Sequence, residues 1–276
     1  MEETSLLSEA ETARYRDQGY LALPDMCPQD EVGYIRRTLL ELFANKTGYN
    51  EGAQYDFISR DDPSKPAKFP SLHDPRHYAP GLLKTAYHER TLELARQLLG
   101  EDAALYGEHA LLKPALVGAE TPWHQDEAFR SPDFVYNELS IWLALQPATL
   151  ENGCMQFIPN QQERGAGASL ARRRQDAAPA RVLRRLPARP GGGRTAAPGG
   201  CTVHDARTLH FTGANTSPQP RLAYILIYNT PPVYKPGRRE FPWLEGRWTD
   251  SQTRKKEWHR RGGLAVDVLR RLPGRG

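Results

Sequence analysis

Residues 139–159 read LSIWLALQPATLENGCMQFIP, and this stretch decides the fold. Leu139, Ile141, Leu143 and Leu145 alternate with Ser140, Trp142, Ala144 and Gln146. A period of two places the first set on one face of a strand and the second on the other. Glu151-Asn152-Gly153 supplies a turn, and Cys154 to Ile158 returns as a second strand. Further on, Arg221 to Tyr228 (RLAYILIY) is rich in aromatic and branched residues and predicts a strand. Thr202 and Val203 read as extended.

Upstream the period changes. Ser8 and Glu11 have the spacing of a capping box. Val32, Ile35, Leu39 and Leu42 make one apolar helical stripe. Leu92, Ala95, Leu98 and Leu99 make another, with Gly100 as its C-terminal cap. The N-terminal third therefore reads as helices with connecting loops, and the polar, Pro-rich stretch from Asp56 to Pro80 as one long loop. Helices first and strands later predict an α+β domain built on a β-sandwich or barrel.

The 276 residues, 39% of them hydrophobic, suffice for a real core. The net charge of +4 gathers in two Arg-rich stretches, Arg172 to Arg194 and Arg254 to Arg275. No aromatic-interleaved basic motif accompanies them, so the expectation is no nucleic-acid partner. Three scattered cysteines argue against a disulfide framework. The polar N-terminus is no signal peptide, and no apolar run approaches the ~20 residues of a spanning helix. A cytoplasmic protein with no membrane element is expected; no feature dictates an oligomeric state. Gln161 to Gly200 is dominated by Ala, Arg, Pro and Gly, without strand period or aromatic residue. Two explanations stand: a flexible lid or insertion, or a segment read out of frame.

The chemistry gathers around residues 121–129, TPWHQDEAF. Positions i and i+2 of a strand share a face, so His124 and Asp126 can share a metal. The best third ligand is His210, which precedes a turn-rich segment. Two histidines and a carboxylate on one face leave positions open for a co-substrate and dioxygen, which suits iron(II). Eleven residues after His210, Arg221 sits in an otherwise apolar strand. Pointing inward it needs a partner, and the distal carboxylate of 2-oxoglutarate matches its bidentate fork. Thr212 can donate to the same carboxylate if the chain stays extended beyond His210. Trp142 can wall the pocket or simply pack in the core. His73, His77, His109 and His204 are read as ordinary histidines, and Lys68 as an exposed lysine.

Four pieces together carry a family resemblance: RYRDQGYLALPD (14–25), TPWHQDEAF, LSIWLALQPATLENGCMQFIP and TLHFTGANTSPQPRLAYILIY (208–228). The chain resembles the phytanoyl-CoA dioxygenase family of iron(II)/2-oxoglutarate oxygenases, except over 161–200 and the tail. Relatives usually continue with Gly-Ser-His after Ile158-Pro159, where this chain has Asn160-Gln161-Gln162. The resemblance implies a double-stranded β-helix (jelly-roll, cupin-like) core with N-terminal and flanking helices. The chain is then one domain: helical to about residue 103, jelly roll to about 232, and a basic tail from 233 to 276. It also implies catalytic metal ligands His124, Asp126 and His210, with Arg221, Thr212 and Trp142 around 2-oxoglutarate. The implied reaction hydroxylates, or otherwise oxidises, a C–H bond of a small-molecule substrate, consuming Fe(II)-bound 2-oxoglutarate and O2 and releasing succinate and CO2. With Asp126 present, hydroxylation is favoured over halogenation. Two alternatives remain at this stage: a zinc hydrolase with the same ligands, and a non-catalytic or inactive jelly-roll protein.

Overall fold

A computed structural model describes residues 5–59, 61, 65–160, 194–236 and 249–271. From β4 (Ala104–Lys113) onward the chain alternates between two antiparallel sheets. β4, β7 (Glu138–Ala144), β9 (Cys201–Asp205) and β11 (Arg221–Asn229) enter the larger sheet. Between them, β5 (Thr121–His124), β8 (Met155–Ile158) and β10 (Leu209–Thr212) form a three-stranded sheet in the order β5-β10-β8. β6 (Phe134–Val135) and β12 (Val233–Tyr234) make a separate two-stranded ribbon. This alternation is the jelly roll expected above.

The strand alternation assigns each side chain its layer. On β7, Leu139, Ile141 and Leu143 join the main apolar core, while Ser140 and Trp142 face the interior between the sheets. On β11, Leu222, Tyr224, Leu226 and Tyr228 take the core side, and Arg221, Ile225 and Ile227 the interior side. Every residue of β7 is buried because both faces are covered. The cover on the core side comes from α2 (Gln29–Ala44) and α3 (Ala86–Leu99). Ile35, Leu39 and Leu94 are wholly buried there, each worth about 2 kcal/mol of apolar transfer. The inward stripe of α2 runs through Val32, Ile35, Leu39 and Phe43, with Leu42 only half-buried. That of α3 runs through Tyr87, Thr91, Leu94 and Ala95. In front of them, α1 (Glu9–Gln18) carries the expected Ser8–Glu11 capping box.

Three expectations need correction. The N-terminal third is not only helical: β1 (Tyr20–Leu23), β2 (Gln54–Asp56) and β3 (Pro70–His73) complete a seven-stranded sheet in the order β1-β9-β7-β11-β4-β3-β2. The stretch from Asp56 to Pro80 is accordingly not one loop, because β3 pairs with both β2 and β4 inside it. The irregular segment ends earlier than Gly200: Arg194 bridges Met155 at the edge of β8, and Ala196 bridges Ala148. The rest of that segment, 161–193, lies outside the described residues, and so does the choice between a lid and a misread frame. The basic tail carries α4 (Asp250–Trp258) and α5 (Leu264–Arg271). Arg254 donates to the carbonyls of Tyr49 and Gln54 and pairs with Asp61, and Arg270 pairs with Glu51. These two arginines hold the tail to the N-terminal region. Among the described residues no helix is long and apolar enough to cross a membrane. Cys27, Cys154 and Cys201 are free and buried.

Glu108, on the core side of β4, is 1% exposed. Its carboxylate accepts from the Tyr224 hydroxyl and the Arg76 backbone N–H. Burial outweighs these donors and pushes its pKa up to about 7, from an ordinary 4.5. A raised folded-state pKa contributes stability that is full below the unfolded value and is lost as pH rises through about 7. The loss is on the order of 3 kcal/mol. Glu108→Gln is therefore expected to flatten the fall in urea midpoint between about pH 5 and pH 8. Parallel midpoint curves for variant and wild type would remove this assignment.

Candidate active site

β10 runs antiparallel to β5 with His210 directly opposite His124, so the two rings meet with centroids 4.1 Å apart. Asp126 lies beyond the end of β5, as the first residue of a single 3-10 turn, Asp126–Phe129. The strand rule still holds across this boundary because Gln125 keeps an extended backbone (φ −116°, ψ 134°). The Asp126 carboxylate therefore returns to the face of His124. Asp126 Oδ1 stands 3.6 Å from His124 Nε2 and 3.6 Å from His210 Nε2. The three donor atoms lie within 4.8 Å of one another, a span one ion can bridge.

The backbone sets the tautomer of both rings. His124 Nδ1 is 2.8 Å from the Pro122 carbonyl, and His210 Nδ1 is 2.9 Å from the Thr208 carbonyl. A carbonyl only accepts, so Nδ1 carries the proton and each Nε2 lone pair faces inward. Burial lowers the pKa of both histidines, and for His210 the neighbouring imidazoles His124 and His204 lower it further. Burial would raise Asp126, but the histidines, His210 foremost, overcome it and hold the carboxyl well below the usual range. Neutral histidines beside an ionised carboxylate are the forms that bind a divalent cation. Asp126 Oδ2 accepts from Ser140 Oγ at 2.8 Å.

A second group lines the same cavity, which encloses about 1220 Å³. Arg221 is 1% exposed, and its Nη1 has no hydrogen-bond partner among the described residues. Its guanidinium carbon sits 5.3 Å from the centre of the Trp142 ring, so Trp142 both packs and walls the site. Burial brings the Arg221 pKa down to about 9, which leaves it charged at neutral pH. Thr212 is buried in the cavity wall, but its hydroxyl is already committed. It accepts from Lys113 Nζ at 2.7 Å and donates to Thr121 Oγ1 at 3.0 Å. The hydroxyl proton left over belongs to Thr121, also in the wall. The same cavity is also lined by Tyr55, His73, Tyr106, His109 and Phe129, the last packing edge-on against the His124 ring. Lys68 is exposed and does not line it.

The six residues singled out from sequence thus meet in one cavity. Thr121, Ser140 and His204 were missed. Thr121 is three residues before His124, so a strict strand period would turn it to the other face; the register shift where β10 pairs with β5 sets it opposite Thr212 instead. The roles of Ser140 and His204 depend on sheet order, for which the sequence holds no local signal.

Residues 15–223 match the Phytanoyl-CoA dioxygenase (PhyH) family. The chain belongs to that family. Over 238 residues it is 24% identical to the ectoine dioxygenase of Sphingopyxis alaskensis, covering 81% of this chain and 76% of the relative. Over 239 residues it is 26% identical to the L-proline trans-4-hydroxylase of Streptomyces griseoviridis, covering 78% and 84%. Among solved structures, EvdO2 from Micromonospora carbonacea var. aurantiaca complexed with 2-oxoglutarate superposes with a TM-score of 0.70 at 29% identity. That match covers 90% of this chain and 100% of EvdO2. This phytanoyl-CoA dioxygenase family member is an iron(II)- and 2-oxoglutarate-dependent dioxygenase that oxidises a C–H bond of a small organic substrate, forming succinate and carbon dioxide. The zinc-hydrolase and non-catalytic readings fall away with that assignment.

Proposed function

We propose that His124, Asp126 and His210 hold the iron, and that Arg221 receives the distal carboxylate of 2-oxoglutarate. The observation that carries this reading is Arg221 itself: a buried guanidinium with an unpartnered Nη1, in the same cavity as the triad. Its Nε donates only to the Asn152 carbonyl, at 3.5 Å; a buried cation with no anionic partner among the described residues is costly, and a carboxylate of the co-substrate relieves the cost. The donor set fits iron(II) as well: two imidazole nitrogens and one carboxylate on one side, the other side open to the cavity. When bound, the iron supplies the redox chemistry, coupling decarboxylation of 2-oxoglutarate to oxidation of the substrate.

The protein's own part is placement. Lys113 fixes Thr212, Thr212 donates to Thr121, and Thr121 offers its proton beside Arg221. Trp142 closes one side of this arm against water. The substrate enters the arm lined by Tyr55, His73, His109, Tyr106 and Phe129, and hydroxylation is the outcome assigned. The whole chain acts as one dioxygenase domain, a reading supported by the tail arginines bonded to the N-terminal region. Its three free, buried cysteines support a reducing, cytoplasmic setting.

Anaerobic titration of the purified protein with iron(II) and 2-oxoglutarate tests the reading without knowledge of the substrate. A weak visible metal-to-ligand charge-transfer band is expected. A folded, iron-loaded protein that shows no band on saturation with 2-oxoglutarate would sink the proposed site.

A further inference from the structure

The two oxygens of Asp126 face different neighbours. Oδ1 points to the Nε2 atoms of His124 and His210. Oδ2 accepts from Ser140 Oγ at 2.8 Å and lies 3.4 Å from His204 Nε2. Ser140 on β7 and His204 on β9 are direct cross-strand partners, so both side chains rise from one level of the same sheet face. His204 is 2% exposed, and neither of its ring nitrogens has a hydrogen-bond partner among the described residues. Its ring packs between His210 and Phe157, with centroids at 4.4 Å and 5.4 Å. A buried polar group left unpaired costs about 1–3 kcal/mol, so an orphan of this kind calls for a reason.

We propose that His204 is a positioning residue: with Ser140, it holds Oδ2 of Asp126 away from the metal, so that the carboxylate binds through Oδ1 alone. This rests on the reading of Asp126 as an iron ligand. The reason is a count of positions. On an octahedral ion, two histidines and a one-oxygen carboxylate leave three positions, enough for a chelating 2-oxoglutarate and dioxygen together. A two-oxygen carboxylate leaves two, and dioxygen is shut out. Ser140 alone supplies one donor, and a carboxylate oxygen accepts more than one. The gap of 3.4 Å exceeds a formed N–H···O bond of about 2.7–3.2 Å, and such contacts commonly tighten when a site is loaded.

The test uses zinc(II)-loaded full-length protein carrying ¹³C-carboxylate aspartate. Infrared difference spectra, loaded minus metal-free, read the splitting between the asymmetric and symmetric carboxylate stretches. Chelator competition reads affinity. Wild type is expected to show the wide splitting of one-oxygen coordination. His204→Leu is expected to narrow it and to lower metal affinity about 10–100-fold, as loss of an outer-shell partner does. His204→Gln, whose amide N–H reaches the same oxygen, should restore both. Should His204→Leu not fold, Ser140→Ala must narrow the splitting in the same direction. Wild-type splitting and affinity in whichever of these two variants is folded, or no rescue by His204→Gln, would overturn the proposal while leaving the ligand assignment intact. A wild-type protein that binds no metal would overturn both.

Discussion

His124→Ala is expected to abolish iron-dependent turnover while leaving the protein folded. On the proposed ligand set the ring supplies one of the two nitrogen donors, and among the described residues none replaces it: His204 lies outside the group whose donor atoms share a 4.8 Å span. A metal centre is worth several kcal/mol to its reaction, and losing about 4 kcal/mol of it lowers the rate roughly a thousandfold. The fold loses little. His124 sits at the end of the four-residue strand β5, half-buried, and among the described residues its ring's one hydrogen bond is to the carbonyl of Pro122, two residues away. Circular dichroism and the thermal midpoint should stay near wild type while iron binding, followed by the charge-transfer band, disappears. Wild-type turnover in this variant would remove His124 from the site.

The same residues show what a sequence can and cannot convey. His124 and Asp126 were legible because a two-residue spacing maps directly onto one strand face, and the extended Gln125 preserves that map where the strand ends. β7 and β11 were legible because seven to nine residues carry several periods. β1, β2 and β3 have four, three and four residues, too few to show a period; the pairing of β1 with β9, of β3 with β4 and of β2 with β3 fixes them instead. His204 was set aside as an ordinary histidine because its meaning is non-local. It lies 78 residues from Asp126 in the chain and reaches that side chain only through the order β9-β7. Thr212 was expected to face the site with a free hydroxyl; in the structure that hydroxyl accepts from Lys113 Nζ and donates to Thr121 Oγ1, partners set by strand register rather than by local spacing. The tail helix α4 is polar around its circumference and is anchored by the bonds of Arg254, which periodicity does not reveal.

Arg221→Lys is expected to raise the 2-oxoglutarate KM about 10–100-fold with little change in kcat at saturation, because a charge-assisted hydrogen bond is worth about 1.5–3 kcal/mol. Two effects add. The guanidinium offers a planar fork to both carboxylate oxygens, whereas an ammonium is a point charge. The environment then discriminates further. Burial brings the native guanidinium down only to about 9, so it stays charged at neutral pH. Lys113, the cross-strand partner of Arg221, shows what happens to an amine here: burial, with Arg221 adding to it, pushes its pKa down to about 5. A replacement amine at 221 is subject to the same burial and is depressed in the same direction, losing charge at neutral pH until a carboxylate arrives. Its 2-oxoglutarate affinity should therefore improve as pH falls and the amine takes up its proton, while wild-type affinity stays flat over that range. Iron binding without 2-oxoglutarate should be unaltered, since Arg221 touches none of the three metal-facing side chains. The measurement is the 2-oxoglutarate concentration dependence of the charge-transfer band at two pH values. An unchanged half-saturation at both would assign the distal carboxylate to another residue and leave the buried guanidinium needing a different partner.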